Sequence, residues 1–543
     1  MPVTPTYPGI YIQEAPSSSH TITPAPTSVA VFIGYTHPLK TNPANFGVPV
    51  EIFGFLDYQR QFGGFVRSAA FANAAGAFGD VAVAVNQFFL NGGSDAFVVA
   101  LSSSNLPQTG ATVSFGGLSF VAREITDETY QMTVTIRPIA APVSPPSDEL
   151  ADVIITYGPA SGGGGITETY RRVSMNPVQD DGVTANPNFI ETMIGTADSP
   201  VSSLLTVSAG SPPALFPTSV QSQTFPSSLP AASAATIFEA SDFTAVLQAD
   251  TLLDKLPVFN LMVIPGVTDG LVLSTALAFC ERKLAFFIMD PPIADSADGT
   301  APGFPHRIQD TANDPALPRS KNGALYFPYL RSPDPITGAA TNAVTGAVNE
   351  IPPAGTVAGI YAATDIARGV WKAPAGFQAT TKNTTGVVAR GQMTDPRQGV
   401  LNPLGINCLR DFPNIGTAVF GARTLVTATD EQWRYVPVRR MALFLEQTLY
   451  ANLKWVVFEP NAEPLWTAIT MSINAFMLGL FKQNAFQGTK PSEAFQVLCN
   501  SQTTTQADID NGIVNIVVAF APLKPAEFVI ITIAQMAGQT QTT

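Results

Sequence analysis

The hydrophobic pattern divides the chain into three kinds of text. Val29–Tyr35 (VAVFIGY) is an unbroken apolar run, which predicts a buried strand. Leu56–Gly64 has helical spacing. Asp80–Gly93 predicts a helix closed by Gly92 and Gly93, residues able to take the left-handed C-cap. Asp95–Leu101 is apolar again, and the order β-α-α-β predicts an α/β layer. From Ser102 to about Ala240 the pattern changes. Gly, Ser, Thr and Pro dominate, and the β-type pieces ATVSFGGLSFVA, YQMTVTIRP and DVIITYG predict an inserted β-rich domain. Gly162–Gly165 reads as a loop, without the Lys-Ser/Thr of a phosphate-binding loop. The α/β text then resumes. Ser241–Leu256 predicts a helix, PVFNLMVIPG a buried strand, GLVLSTALAFCERK a helix with Arg282 and Lys283 in its last turn, and LAFFIMD a strand. Residues 291–321 read as a Pro- and Asp-rich loop, GALYFPYLRSPDP as a strand ended by prolines, and 334–350 as a linker or mobile loop.

The C-terminal third is the most periodic. Met441, Phe444, Leu445, Thr448 and Leu449 lie on one helical face, as do Trp466, Ile469, Ile473, Phe476, Met477 and Leu480. Asn461 is a candidate N-cap for the second helix, with Glu463 in its first turn. Three β-type segments follow, Ala494–Asn500, Gly512–Pro522 and Glu527–Gln535, the last set off by PLKP and followed only by a short polar tail. At the other end, YPGIYIQE (Tyr7–Glu14) reads as a strand on a Pro/Ser/Thr tether. The predicted organisation is an arm and linker (1–26), the first part of an α/β domain (27–101), an inserted β-rich domain (102–240), the second part of the α/β domain with a linker (241–350), and a C-terminal domain (351–543). The fold class is mixed α/β, multidomain. A lone apolar strand at each end is a hazard unless it is paired. Either both close a sheet in their own subunit, or each is added to a neighbour's sheet.

Composition narrows the partners. Charged residues make up only 13% of the 543, which suits surfaces buried against neighbours. The net charge of −13 argues against nucleic acid. From Pro352 on there are 14 Lys and Arg against 12 Asp and Glu, leaving 14 against 29 before it, so the acidity lies in the first two-thirds. Cys280, Cys408 and Cys499 are too scattered for a disulfide framework or zinc, and read as buried thiols made in a reducing cytoplasm. The N-terminus has no signal-peptide pattern, and no apolar run reads as a membrane span, so no membrane insertion is expected. His20 and His37 in polar N-terminal segments and His306 in a loop have no metal spacing. GTKPS at Gly488–Ser492 lacks the upstream glycine of a phosphate loop. Asp508 and Asp510 read as a solvated turn rather than a calcium loop, and Trp371 and Trp466 as core anchors rather than a sugar platform. No catalytic motif, cofactor site or metal site is expected. Two other function classes stay open from the residues: an adhesin or sugar-binding module in 102–240, and a polysaccharide hydrolase, which would need paired carboxylates in a cleft.

Five stretches, in order, resemble the contractile tail sheath family of phage tails, R-type pyocins and phage-like extracellular injection systems. They are YPGIYIQE, Ile351–Gly376 (IPPAGTVAGIYAATDIARGVWKAPAG), Leu401–Leu425 (LNPLGINCLRDFPNIGTAVFGARTL), WRYVPVRRM with KWVVFEPNAEPLW, and AFQVLCN through DIDNGIVNIVVAFAPLKPAEFVIITI. Phe420 stands where the family often has Trp and Ala363 where it often has Arg; both read as packing changes. The resemblance covers the arm and nearly all of the C-terminal third, while 102–240 matches none of its motifs. It implies a non-enzymatic subunit that polymerises as a helical cylinder of stacked rings around an inner tube and contracts. It also implies baseplate and terminator or cap partners, assembly in the bacterial cytoplasm, and a place in a phage tail or a released tail-like particle. It implies that Tyr7, Gly9, Ile10, Tyr11 and Ile12 at one end, and Phe528, Val529, Ile530, Ile531 and Ile533 at the other, are strands donated to neighbouring subunits. The expected acceptors are Phe495, Val497, Val514, Ile516 and Val518. Lys482 and Lys490 are candidates to face the tube.

Overall fold

The computed structural model describes residues 20–66, 80–103, 106–139, 150–162, 165–179, 182–210, 216–228, 238–293, 295–299, 306–335, 338–341, 349–426 and 430–532. Tyr7, Gly9, Ile10, Tyr11, Ile12 and Ile533 lie outside them. The chain forms two compact units. One comprises 26–368 and 373–439, the other 1–25, 369–372 and 440–543. The expected boundary at 350/351 therefore does not coincide with the division between units, because strands from 406–419 join the large unit's sheet.

That sheet has eight strands, in the order Gly416–Val419, Ile406–Phe412, Gly323–Phe327, Phe286–Met289, Leu261–Val263, Ala30–Tyr35, Ala96–Leu101 and Val50–Ile52. The six central strands are parallel and each edge strand is antiparallel. Central parallel strands are covered on both faces, which is why their sequences read as continuous apolar runs. Ala30–Tyr35 and Phe286–Met289 are buried at every position. The helix Gly270–Arg282 forms as predicted, with Asp269 accepting from the Leu271 and Val272 amides. Helix Ala354–Arg368 approaches helix Asp80–Leu90 without room for side chains. A Cβ on Gly355 would lie 2.5 Å from the Ala84 backbone, and one on Gly359 2.5 Å from the Phe88 carbonyl.

Three local expectations change. The helix begun at Ala240 ends at Val246, not Leu256. Asp250 takes a left-handed backbone (φ 63°), and the Thr251 hydroxyl donates to the Val246 and Gln248 carbonyls. The loop 291–321 contains a helix, Ile308–Asn313, opened by the Asp310 carboxylate accepting from the Arg307 amide. His37 is not in a polar segment. It is buried, with Nε2 3.0 Å from Glu124 Oε2, and Lys40 ion-pairs with the other Glu124 oxygen. Burial pushes Glu124 upward, but Lys40 and His37 overcome it and hold the carboxyl at about 2; burial holds His37 below its ordinary value.

Between Thr112 and Thr224 the chain builds two antiparallel sheets. One is ordered Gln221–Thr224, Tyr130–Pro138, Leu150–Pro159, Ile166–Ser174; the other Thr112–Phe115, Leu118–Ala122, Leu205–Ala209. Alternate residues such as Val134, Ile136, Val153, Ile155 and Tyr157 fill a hydrophobic cluster separate from that of the eight-stranded sheet. Facing residues on the outer side pair hydroxyls, Thr133 with Thr224 and Thr135 with Ser222.

A buried carboxylate joins elements of the large unit. Asp290, after strand Phe286–Met289, accepts from the Gly266 amide at 3.0 Å and from the Ala354 amide at 2.7 Å, so it caps helix Ala354–Arg368. Burial raises Asp290 to about 7, and burial together with the Asp290 charge raises Asp80 to about 8.

Candidate assembly surface

The small unit is built on two helices. Val436–Asn452, from Arg440 on, contributes Met441, Phe444 and Leu445; Glu463–Lys482 contributes Trp466, Ile469, Ile473, Phe476, Met477 and Leu480. The stripe read from sequence is the buried stripe, because helical neighbours three and four apart share a face. Asn461 is not the N-cap; Ala462 is, and no side chain caps the helix. Asn461 instead accepts from the Trp466 indole N–H at 2.9 Å and donates to the Ile513 carbonyl at 2.9 Å. The helix spans 20 residues, and by length and composition it is long and apolar enough to cross a membrane. This corrects the sequence reading, which found no such run. Here its apolar stripe is packed into the core of the unit.

Against this core lies, among the described residues, a sheet of two strands, Phe495–Leu498 antiparallel to Val517–Phe520. Val497 is buried, and Phe495, Val514, Ile516 and Val518 pack against the same cluster, so all five expected acceptor residues turn toward it. The paired stretch is shorter than the sequence suggests, since Val514 and Ile516 precede the ladder. Beyond Phe520 the Ala521 amide donates to the Ala494 carbonyl and Phe486 bridges Pro522. From Leu523 to Thr532 the backbone joins no ladder. The expected strand there therefore joins no sheet among the described residues. Its apolar side chains are uncovered: Phe528 is 73% exposed, Val529 80%, Ile530 90% and Ile531 79%. β-branched residues supply strand propensity, but a strand exists only where a neighbour supplies the ladder.

Lys482 ends the second helix and is exposed, as is Lys490. The amides of Thr489 and Lys490 donate to Glu493, which holds that carboxyl below its ordinary value; GTKPS is the start of a short helix. Asp508 caps the helix Gln506–Asp510 through Thr505, and Asp510 accepts from Gln506. Cys280, Cys408 and Cys499 are free and buried; burial raises Cys408 to about 12.

Sequence reasoning missed one feature. Residues 20–25, read as tether, are strapped to the small unit. Ile22 is buried in its core, and Thr23 and Ala25 bond side chains of the first helix. A lone isoleucine in a polar run was the available signal.

Residues 428–536, nearly all of them in the small unit, match the family model described as phage tail sheath C-terminal domain. The fold of the whole chain agrees. It resembles the sheath complex of the PVC extracellular contractile injection system in its contracted state, with 21% identity, coverage of 98% of both chains and TM-score 0.57. It also resembles the helical sheath of the anti-feeding prophage in its contracted state, with 22% identity over 98% of this chain and 100% of the other and TM-score 0.56. A sheath tail protein from Desulfitobacterium hafniense is similar over 95% of this chain and 100% of its own length, at 14% identity and TM-score 0.52. No curated protein matches the chain. The sheath fold thus includes the region 102–240, for which the sequence offered no motif.

Proposed function

We propose that the protein is a non-enzymatic sheath subunit that polymerises as a helical cylinder of stacked rings around an inner tube and contracts to drive the tube through a target envelope. The observation that carries this reading is the presence in one unit of an uncovered apolar segment, Phe528–Ile531, and a two-stranded sheet, over a stretch that matches the tail sheath C-terminal domain model. The outer edges of these two strands leave backbone groups open to added strands. In an added strand, Phe528 and Ile530 would share one face. Burying both contributes about 3–6 kcal/mol, and each ladder hydrogen bond about 1 kcal/mol net. The N-terminal strand Tyr7–Glu14 is donated to another neighbour, and the acceptors are the edges of Phe495–Leu498 and Val517–Phe520. Strands that stay paired while their tethers change direction let subunits slide and rotate as rigid bodies.

In this reading the acidic first two-thirds face outward, and the exposed Lys482 and Lys490 face the tube. Baseplate and cap proteins close the two ends of the cylinder. Assembly takes place in the cytoplasm, and the particle acts as a phage tail or a released tail-like device. The test is negative-stain electron microscopy of the full chain beside variants lacking 1–20 or 523–543. Long hollow cylinders from the full chain, and discs or monomers from both truncations, are expected. Monodisperse globular particles from the full chain would overturn the proposal.

A further inference from the structure

The strap over residues 20–25 bears on how far a donated N-terminal strand can reach, a role that rests on the strand-donation reading. From sequence, the tether runs from Ala15 to Pro26. In the structure its second half is held. The His20 ring stacks on Trp455, with 3.8 Å between centroids and 16° between planes. Asn452 binds both backbone groups of Thr23: Oδ1 accepts from its amide at 3.0 Å, and Nδ2 donates to its carbonyl at 2.8 Å. Thr448 Oγ1 accepts from the Ala25 amide at 3.1 Å. Ile22, between these contacts, is buried with Trp466 and Phe444 in the core cluster. The match is geometric. Thr448 and Asn452 stand one helical turn apart on one face, while Thr23 and Ala25 are two apart on an extended chain, and the two spacings are nearly equal. The Asn452 amide thus serves as a stand-in for a neighbouring strand.

We propose that Thr448, Asn452 and Trp455 are positioning residues that clamp the root of the N-terminal arm, so that residues 15–19 alone set the slack of the donated strand. From Glu14 to His20 the chain spans at most about 20 Å, whereas a tether free to Pro26 would span about 40 Å. Halving the reach limits the acceptor sheets the strand can find, and a short tether raises its effective concentration at the right one. Choice of neighbour becomes a property of where the arm is rooted, not of the strand's own sequence.

The experiment is a suppression test in the full chain, read by electron microscopy and by hydrogen exchange at Thr23 and Ala25. Deleting Ser17–Ser19 leaves about 10 Å between Glu14 and His20 and is expected to abolish cylinders while the two amides stay protected. Adding Thr448→Ala and Asn452→Ala, with Ile22→Ser, releases the strap. Exchange at both amides is expected to rise at least tenfold, and cylinders to return. Normal cylinders from the deletion alone would overturn the clamp. So would failure of the released variant to restore them once the amides exchange freely in a folded protein. Fast exchange at Thr23 and Ala25 in the unaltered chain would overturn it as well. If the unaltered chain forms no cylinders, strand donation fails, and the clamp is then judged on those two amides alone.

Discussion

The eight-stranded sheet of the large unit and the two-stranded sheet of the small unit solve the same problem differently. In the large sheet, six parallel strands are flanked on each side by an antiparallel strand of the same chain. Even the outer strand Gly416–Val419 is bridged by residues 376–381. Its apolar runs, Ala30–Tyr35 and Phe286–Met289, find every partner at home. Among the described residues of the small unit an equally β-branched run, Phe528–Ile531, joins no ladder, and the sheet there has two strands. Similar local chemistry thus yields a finished core in one place and an open one in the other. On the proposed assembly, the strand count of a sheet, not the propensity of its segments, marks where this chain would take a strand from a second copy.

The sharpest way to break the comparison is to truncate one apolar residue in each region. Phe287→Ala is expected to lower stability by about 3–5 kcal/mol in chemical denaturation, because it empties a closed core. Ile530→Ala is expected to leave the unfolding of the unassembled chain within about 0.5 kcal/mol of the parent and to abolish cylinders. Equal losses from the two would mean that the terminal segment is buried at home.

Acidity sharpens the contrast next. Asp290 and Asp80 have folded values raised to about 7 and about 8, so the folded large unit holds protons the unfolded chain releases. Their contribution is full below about pH 4 and is lost as pH rises from there to the folded values near 7 and 8, at up to about 1.4 kcal/mol per pH unit per group. Glu124, held at about 2, works the other way, contributing above about pH 4.5 and losing its effect as pH falls toward 2. Calorimetry should therefore show the large unit most stable near pH 4 to 4.5, weakening as pH rises to about 8 and levelling off beyond. Asp290→Asn should flatten the alkaline limb. A flat profile in the parent would rule out the buried pair as its source.

Smaller effects are expected in the small unit. Asn461→Ala removes the acceptor for the Trp466 indole and should cost about 1 kcal/mol, seen as faster amide exchange around Ile513 and unchanged exchange in the large sheet. Smallest for the free chain is reversal of Lys482 and Lys490, both exposed; the melting midpoint should not move, and particles should form without tubes. Normal tube-filled particles would remove these lysines from the tube contact.

Much of the fold was readable in one dimension. Val29–Tyr35, the helices after Asp80 and Gly270, and the stripes Met441–Leu445 and Trp466–Leu480 announce themselves because periodicity and caps are local. The five ordered motifs also point to the sheath family from sequence alone. Other features escaped because their causes are not local. Ser241–Leu256 has helical spacing, but Asp250 and Thr251 turn the chain and end the helix early. Asn461 has the chemistry of a cap, yet the Trp466 indole claims it. Residues 20–25 look like tether, and only the neighbouring helix shows that they are held.

Local pattern alone places most of the long helices and the buried apolar strands, and marks strand-forming text near both ends. Long-range contacts set which central strands pair, where residues 20–25 are held, and that Leu523–Thr532 joins no ladder among the described residues. The physical reason is that propensity and periodicity are sums over neighbours in sequence, whereas a hydrogen-bonded ladder and a buried contact need a partner brought in from far along the chain, or from another copy of it.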